Sequence, residues 1–213
     1  MSYQDEEILK AKKAIEDEKK RLEQKENLVK EAEKSIFDGA VTILGKEVLF
    51  QRREIPELKI SIYMPETFFL LAPEIARLIY PAGNSPSHVF GGEDIQFQMT
   101  MNQTTHAVPN DGMKEFVKIS AQLLEAMGPK VTIVEKKVEE KEDFNIGTLQ
   151  FVSRAVDMMV YNMQFYLSMN GKLLMGTVTF PSKYKKRMIP LAKEIIGSIE
   201  IIKETEDGND YTS

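Results

Sequence analysis

The dipeptide Asn170-Gly171 is the feature that most restricts the folds open to this chain. A two-residue hairpin turn of type I′ needs positive φ at both central positions, and Asn followed by Gly tolerates that conformation well. The segments on either side are rich in apolar, aromatic and β-branched residues, which favours strands. We therefore predict an antiparallel hairpin in which Met169 pairs with Lys172.

A two-residue turn also determines which side chains share a face, because a slip of one residue would move every side chain to the opposite face. One face carries Met169 with Lys172, Leu167 with Leu174, Phe165 with Gly176, Met163 with Val178, and Tyr161 with Phe180. The other carries Ser168 with Leu173, Tyr166 with Met175, Gln164 with Thr177, and Asn162 with Thr179. We expect the first face to lie in the core. The second face is mixed, and we expect it to lie partly in water as a candidate binding surface.

Alternating apolar and polar residues predict further strands outside the hairpin. Residues 58–63 alternate in this way, and so do residues 95–102, which follow the turn at Gly91-Gly92. A short strand is expected at 199–202. Each strand needs a partner strand and a covered apolar face.

Two amphipathic helices are predicted to cover these strands. The apolar side of the first, over 111–127, holds Met113, Phe116, Val117, Ala121, Leu124 and Met127. That of the last helix holds Met188, Leu191, Ala192, Ile195 and Ile196, and we place Pro190 in its first turn. We expect the first helix to cover the apolar face of strand 95–102, and both helices to cover the core face of the hairpin. The prediction is an α+β fold with a single antiparallel sheet flanked by helices.

Residues 1–38 predict a long charged helix that precedes this domain, because the segment contains no Gly or Pro and Gly39 follows it as a stop. Its apolar stripe consists of Ile8, Ile15, Leu22, Val29 and Ile36, which are seven residues apart. The second column of a heptad pattern is mostly polar or small, which argues against a strong two-stranded coiled coil. Two readings stay open: the helix packs on its own domain or on a dimer mate, or it docks on another protein.

Charge and composition exclude several classes of function. The 28 Lys and Arg residues face 33 Asp and Glu residues, and the excess acid lies in 1–38 and in the tail 203–213, which we predict to be disordered. The domain over 39–202 is neutral, so nucleic acid is not expected as a partner. The absence of Cys removes thiolate chemistry. The chain has no apolar run of about 20 residues, and its first residues are acidic. We therefore expect a cytoplasmic location and no membrane role.

The order of elements resembles the PsbP-like superfamily. The signatures are Ile60-Ser61-Ile62-Tyr63-Met64-Pro65, Phe68-Phe69, Thr179-Phe180-Pro181 and Ile196-Gly197-Ser198-Ile199. Members include a photosystem extrinsic subunit, a Ran-binding nuclear import factor and bacterial proteins of unknown role, the branch that this chain resembles. The resemblance covers about 55–202. It implies an α/β/α sandwich and a non-catalytic binding module, since the family shares no catalytic motif.

Candidate chemistry in the sequence is sparse. His88 and His106 lack metal-ligand spacing and are expected in solvated loops, so no metal or cofactor is expected. Ser85 and Ser87 stand near His88 without the G-x-S-x-G turn that exposes a nucleophilic serine. Gly91-Gly92 has no following phosphate-loop lysine. We therefore expect no enzyme activity.

The sequence favours a protein-interaction or chaperone-like binding module. A basic cluster, Lys183, Lys185, Lys186 and Arg187, lies at the start of the last helix. It is either a solvated edge or a site for an anion or an acidic protein. The abundant Met residues either fill the core or line a pliable groove. The alternative function is a small-ligand carrier or an enzyme with a pocket between sheet and helices, anchored by Asn162, Gln164 and Tyr166. The expected partner-binding residues are the five of the N-terminal stripe, which would also mediate any homo-oligomer, with Tyr166, Met175, Lys185 and Lys186.

Overall fold

The computed structural model describes residues 16–20, 34–43, 45–80, 85–92, 97–126, 131–155, 157–169 and 172–202. The strands in these ranges are β1 (Ala40–Ile43), β2 (Lys46–Ile55), β3 (Ile60–Pro65), β4 (Phe69–Leu70), β5 (His88–Gly91), β6 (Gln98–Gln103), β7 (Val131–Glu140), β8 (Asn145–Arg154), β9 (Met159–Met169), β10 (Lys172–Pro181) and β11 (Glu200–Ile201). The helices over the same domain are α1 (Pro73–Ile79), α2 (Met113–Ala126) and α3 (Lys185–Gly197), with 3-10 turns at Ile36–Asp38, Pro56–Leu58, Asn110–Gly112 and Ser182–Tyr184.

The strands form two antiparallel sheets, so the prediction of a single sheet is wrong. The small sheet has the order β1-β2-β3-β11, and the large sheet has the order β4-β5-β6-β10-β9-β8-β7. The predicted strand at 58–63 is β3, but its partners are β2 and β11 and not the strands of the hairpin. β1 and β2 were not among the predicted elements. β2, together with β11, provides β3 with hydrogen-bonding partners of its own, which separates β3 from the large sheet.

The register predicted for the hairpin is confirmed. β9 and β10 pair from Met169 with Lys172 through Leu167 with Leu174 to Tyr161 with Phe180. Asn170 and Gly171 themselves lie outside the described residues. The pairing on both sides of them nevertheless has the register that a two-residue connection imposes.

The two faces of the large sheet have different coverings. The inner face carries Phe165, Leu174 and Phe180 from the hairpin, and these side chains are at most 1% exposed. α3 packs on this face against β9 and β10, and it also contacts β3 of the small sheet. One continuous apolar core therefore joins the large sheet, α3 and the small sheet. Pro190 lies inside α3 and not in its first turn.

α2 covers the opposite, outer face of the large sheet, which corrects the prediction that it would cover the core face of the hairpin and of strand 95–102. Its residues Met113, Val117 and Ala121 pack with Leu149 and Phe151 of β8 in a second apolar cluster. Met99 and Met101 of β6 belong to the inner core instead. Both faces of the sheet offer apolar side chains to a helix. The amphipathic pattern of α2 therefore identifies its buried side but not the face it covers.

Most of the predicted N-terminal helix, and the predicted disordered tail at 203–213, lie outside the described residues. Residues 16–20 are helical and exposed, with Lys20 Nζ 3.1 Å from Glu16 Oε1. The helix does not continue to Asp38, because Ser35 is extended (φ −86°, ψ 155°) and caps a separate 3-10 turn. Gly39 follows that turn with φ 87°, the positive value expected of a stop.

None of the helices in the described part of the chain is both long enough and apolar enough to cross a membrane.

Candidate functional site

The central part of the outer face lies between two flanking helices. α2 covers β7 and β8 on one side. On the other side, Val89 of β5 is 1% exposed and lines a cleft together with Ala76 of α1, so α1 lies beside the outer face at β5. The strands between them are β6, β10 and β9, which are adjacent in the sheet.

The outer-face residues of these three strands form what we call the central strip. Its members are Gln98, Thr100, Asn102, Asn162, Gln164, Met175, Thr177 and Thr179. They share one face because each is directly opposite another in the register, as Gln98, Thr179 and Asn162 are. No member carries a charge. Asn102 is exposed and Gln164, Met175 and Thr177 are half-buried.

Hydrogen bonds hold one end of the central strip in place. Thr179 donates its hydroxyl to Asn162 Oδ1 at 3.0 Å, and Asn162 Nδ2 donates to Ser153 Oγ at 2.9 Å. The side chains of Gln98 and Gln164 make no such bond with another residue in the part of the chain that the structure describes. Their amide groups are therefore free to donate to and accept from a partner.

Exposed apolar side chains border the central strip. Phe116 on α2 meets the ring of Tyr166 edge-on, with centroids 5.1 Å apart, so this side of α2 faces the middle of the sheet. Ile119 and Leu123 lie on the same side of the helix at 45% and 63% exposure. On the far border, Phe69 of β4 is 46% exposed and pairs with a glycine, Gly91.

A cleft of about 650 Å³ opens where the central strip meets the end of the sheet. It lies where β6 and β9 begin and β10 ends, beside the 3-10 turn that precedes α3. We call it the sheet-end cleft. Its lining residues are Phe97, Gln98, Met158, Met159, Val160, Thr179, Phe180, Pro181 and Lys183.

The structure does not bring the predicted partner-binding residues together. Ile8, Ile15, Leu22 and Val29 lie outside the described residues. Ile36 is a core residue with 0% exposure, and its backbone N–H donates to Glu194 Oε2 at 2.9 Å. It therefore belongs to the domain and not to a helical stripe that is free for a partner.

Tyr166 and Met175 differ in their exposure to solvent, although they face each other across the hairpin. Tyr166 is 1% exposed beneath Phe116, and this burial raises the pKa of its hydroxyl to about 12. It is a core residue of the outer face, which removes it both as a surface contact and as an anchor of a polar pocket. Met175 is half-buried in the central strip, where a partner can reach it.

The basic cluster divides at the start of α3. Lys185 and Lys186 are exposed in the first turn of the helix. Lys183 lies in the preceding 3-10 turn and lines the sheet-end cleft, with Nζ 4.8 Å from the centroid of the Tyr184 ring. Arg187 turns toward the small sheet and donates from Nε to the carbonyl oxygen of Thr42 at 3.2 Å.

The histidines have different environments. His88 is not in a solvated loop but begins β5, with Nδ1 2.9 Å from Ser87 Oγ. Burial is the main cause that lowers the pKa of His88, against an opposing attraction from Glu57. His106 is exposed. Within the described residues, no three His, Asp or Glu side chains are grouped closely enough to hold a metal ion.

Comparison with solved structures shows that the fold is PsbP-like, as the resemblance in the sequence indicated. Cyanobacterial PsbP from Synechocystis sp. PCC 6803 superposes with a TM-score of 0.52 at 13% identity, over 76% of this chain and 98% of that one. LpqN of Mycobacterium tuberculosis, a protein involved in cell envelope biogenesis, gives 0.46 at 11% identity, over 67% and 82%. No family model and no curated protein matches the sequence. At these identities the similarity establishes the fold alone.

Apart from Lys183 of the basic cluster and the Met residues, which were predicted to fill the core or line a groove, the lining of the sheet-end cleft was not predicted. Met158 and Met159 are 45% and 48% exposed at its mouth, and Phe97 is buried in its wall. The sequence does contain a hint, since two consecutive Met residues stand at the start of a strand whose inner face is already apolar. The cleft forms where three strand ends that are far apart in the chain come together. No local sequence pattern indicates which strand ends will be neighbours.

Proposed function

We propose that this protein is a non-catalytic protein-interaction module that binds an extended, uncharged polypeptide segment along the central strip. The observation that carries the proposal is the outer face of β6, β10 and β9, which lies between α1 and α2. Its eight strip residues are uncharged, and six of them, all but Thr100 and Asn162, are exposed or half-buried. A surface of this kind accepts a partner without the cost of burying an unpaired charge.

The chemistry of the strip suits a polypeptide. Thr and Asn or Gln side chains offer both donors and acceptors, which match the alternating N–H and C=O groups of an extended chain. Met175 within the strip, and Ile119 and Leu123 beside it, add apolar surface that adapts to different side chains. Interfaces commonly combine such an apolar centre with polar groups around it.

The strip also supports a binding role over catalysis. Its Thr, Asn, Gln and Met side chains do not titrate near neutral pH, whereas general acid–base catalysis depends on groups that do. A module that binds uncharged segments would act in a chaperone-like way by keeping them from associating with one another. We propose that this activity takes place in the cytoplasm, the location expected from the sequence. Fractionation of the native cell tests the location.

The proposal is tested with peptides displayed on phage. A library of random peptides is selected on the full chain, and the affinities of the enriched peptides are measured by calorimetry. We expect enriched sequences to be uncharged and partly apolar. Thr177→Arg, which puts a long charged side chain in the middle of the strip, should weaken their binding by at least about tenfold, because the arginine blocks the strip and is desolvated by the peptide.

Thr132→Arg is the matched control. Thr132 is an exposed strand residue of the same sheet, on β7 and outside the strip. Its substitution should leave the peptide affinities within about twofold, as expected for a distant surface change. Equal losses in both variants, or enriched peptides that bind Thr177→Arg as well as the original chain, would overturn the proposal.

A further inference from the structure

The sheet-end cleft has the size of a small-molecule site. Its volume of about 650 Å³ falls within the roughly 300–1,000 Å³ typical of ligand pockets. Phe97 and Phe180 are 3% and 1% exposed, so they form fixed walls. Met158 and Met159 are about half exposed at the mouth, where flexible thioether side chains can close over a ligand.

The apolar lining determines what the body of a ligand must be. Six of the lining residues are apolar: Phe97, Met158, Met159, Val160, Phe180 and Pro181. A hydrocarbon chain placed among them loses contact with water, which stabilises the complex by about 25 cal/mol per Å² of apolar area buried. A strongly hydrated polar body would lose its water without enough partners in return.

The polar lining determines the head group. Among the described lining residues, Lys183 is the one that is charged, and none is acidic. Lys183 also forms no ion pair in the described part of the chain. Gln98 contributes an amide without a side-chain hydrogen bond in that part, and the Thr179 hydroxyl donates to Asn162 and can still accept. These groups together fit a carboxylate.

We propose that the sheet-end cleft binds an amphipathic carboxylate, with its hydrocarbon chain against Phe97, Phe180, Met158 and Met159 and its head group beside Lys183. This is a second binding site, separate from the middle of the central strip where the polypeptide segment is proposed to lie. Lys183 is thereby distinguished from Lys185 and Lys186, which stand outside the cleft.

The probe is decanoate, used below the concentration at which it forms micelles. The full chain carries ¹³C-methyl methionine, which gives a signal from each of its 12 Met residues. Met158→Leu and Met159→Leu assign the two signals at the mouth of the cleft. We expect decanoate to shift these two signals saturably and to leave the signals of core residues such as Met64 and Met113 nearly unchanged.

Charge variants test the head group. Lys183→Met should weaken decanoate binding about fivefold, the size expected for loss of a partly exposed ion pair, while decanol binding stays within about twofold. Gln98→Glu places a carboxylate in the cleft and should weaken decanoate still more by repulsion. Lys186→Met is the matched control and should bind decanoate as the original chain does. Thermal midpoints show that each variant is folded.

Each outcome of these titrations either supports the carboxylate site or overturns it. A saturable shift confined to Met158 and Met159, reduced by Lys183→Met and not by Lys186→Met, supports the site. No saturable shift, a shift spread evenly over the Met signals, or equal decanoate affinity in the Lys183 and Lys186 variants would overturn it. None of these outcomes depends on the peptides selected for the central strip, so this proposal and the proposed function fail separately.

Discussion

Gly176 shows how one missing side chain supports the hairpin. It pairs with Phe165 across β9 and β10, and a Cβ built on it would lie 2.1 Å from Phe165 Cζ. The aromatic ring therefore occupies the space that any other residue at position 176 would fill. Phe165 is itself completely buried in the inner core, so its ring has little room to move.

We predict that Gly176→Ala lowers the free energy of unfolding by about 1–3 kcal/mol, the usual cost of overpacking a core. Urea unfolding measures the change. Phe165→Leu in the same chain should recover part of the loss, because the two positions contact each other directly. The control is Gly197→Ala, where a Cβ meets nothing within 4 Å. A loss at Gly197 as large as that at Gly176 would contradict the account.

His88 makes stability depend on pH. Its pKa is lowered in the folded state, chiefly by burial, so the unfolded chain binds a proton more readily as the pH falls through the ordinary histidine value of about 6.5. We predict that the free energy of unfolding falls between about pH 7 and 5.5, and that His88→Asn flattens this part of the curve. An unchanged slope in His88→Asn would show that other groups cause it.

Site residues were predictable only where a local pattern decides their exposure. The register assigned Tyr166, Gln164 and Met175 correctly to one face. It did not reveal that α2 covers Tyr166 and leaves Met175 half-buried. That difference depends on where α2 packs, and α2 precedes these residues by at least 40 positions in the sequence (166 − 126 = 40). The lining of the sheet-end cleft has the same long-range origin.

At the scale of elements, the end of α3 depends on a lysine from another part of the chain. Lys141 follows β7 and donates from Nζ to the carbonyl oxygen of Gly197, the last residue of α3. The last carbonyls of a helix have no partner within the helix, and they carry the negative end of its dipole. Lys141 satisfies one of them with a positive charge, although burial lowers the pKa of its amine.

We predict that Lys141→Met destabilises the protein by about 1 kcal/mol, since it removes a cation and a donor from a helix C-terminus while keeping a long apolar stem. Chemical unfolding at low ionic strength measures the loss. Lys136→Met, on the exposed edge strand β7, is the control and should change stability by less than about 0.5 kcal/mol. Equal effects of the two substitutions would rule out a special role for Lys141.

Element types were more predictable than element partners. The period of the hydrophobic pattern correctly indicated β3, β6, α2 and α3, because period is a local property. Val48 and Phe50 also alternate with exposed residues in β2, a signal that was available but is weak beside charged neighbours. Which strand pairs with which depends on contacts between distant segments, and this is why the second sheet was not predicted.

At the scale of the whole molecule, the folded domain begins near Ile36, and the apolar stripe lies before it in the chain. Ile36 is anchored in the core and bonded to Glu194, so the domain needs the chain from about Lys34 onward. The stripe of Ile8, Ile15, Leu22 and Val29 precedes that point. We propose that this stripe mediates self-association, since apolar residues that recur along the chain are stabilised when a second copy covers them.

We predict that light scattering gives a mass for the full chain above that of one protomer, and that a chain starting at Lys34 is monomeric and equally stable to urea. The shortened chain retains Ser35 and its cap on the 3-10 turn, so its fold should be unaffected. A variant with Ile15 and Leu22 both changed to Gln serves as the matched control and should also be monomeric. The same number of protomers per particle in all three proteins would end the proposal of self-association.

At the scale of the whole molecule, one face of the large sheet is buried in the core and the other face is only partly covered. The inner face meets α3 and the small sheet, whereas the outer face leaves the central strip between α1 and α2. Evenly covered sheets bury both faces, and a partly covered face of mixed polarity is where a partner is most easily accommodated. The account as a whole depends on this asymmetry.

The most direct test maps the binding of a selected peptide onto the backbone amides of the ¹⁵N-labelled protein. The account predicts saturable shifts concentrated in β6, β9 and β10, with smaller changes on the side of α2 that carries Ile119 and Leu123. Shifts confined to α3, β1 and β2, with the three central strands unmoved, would contradict it.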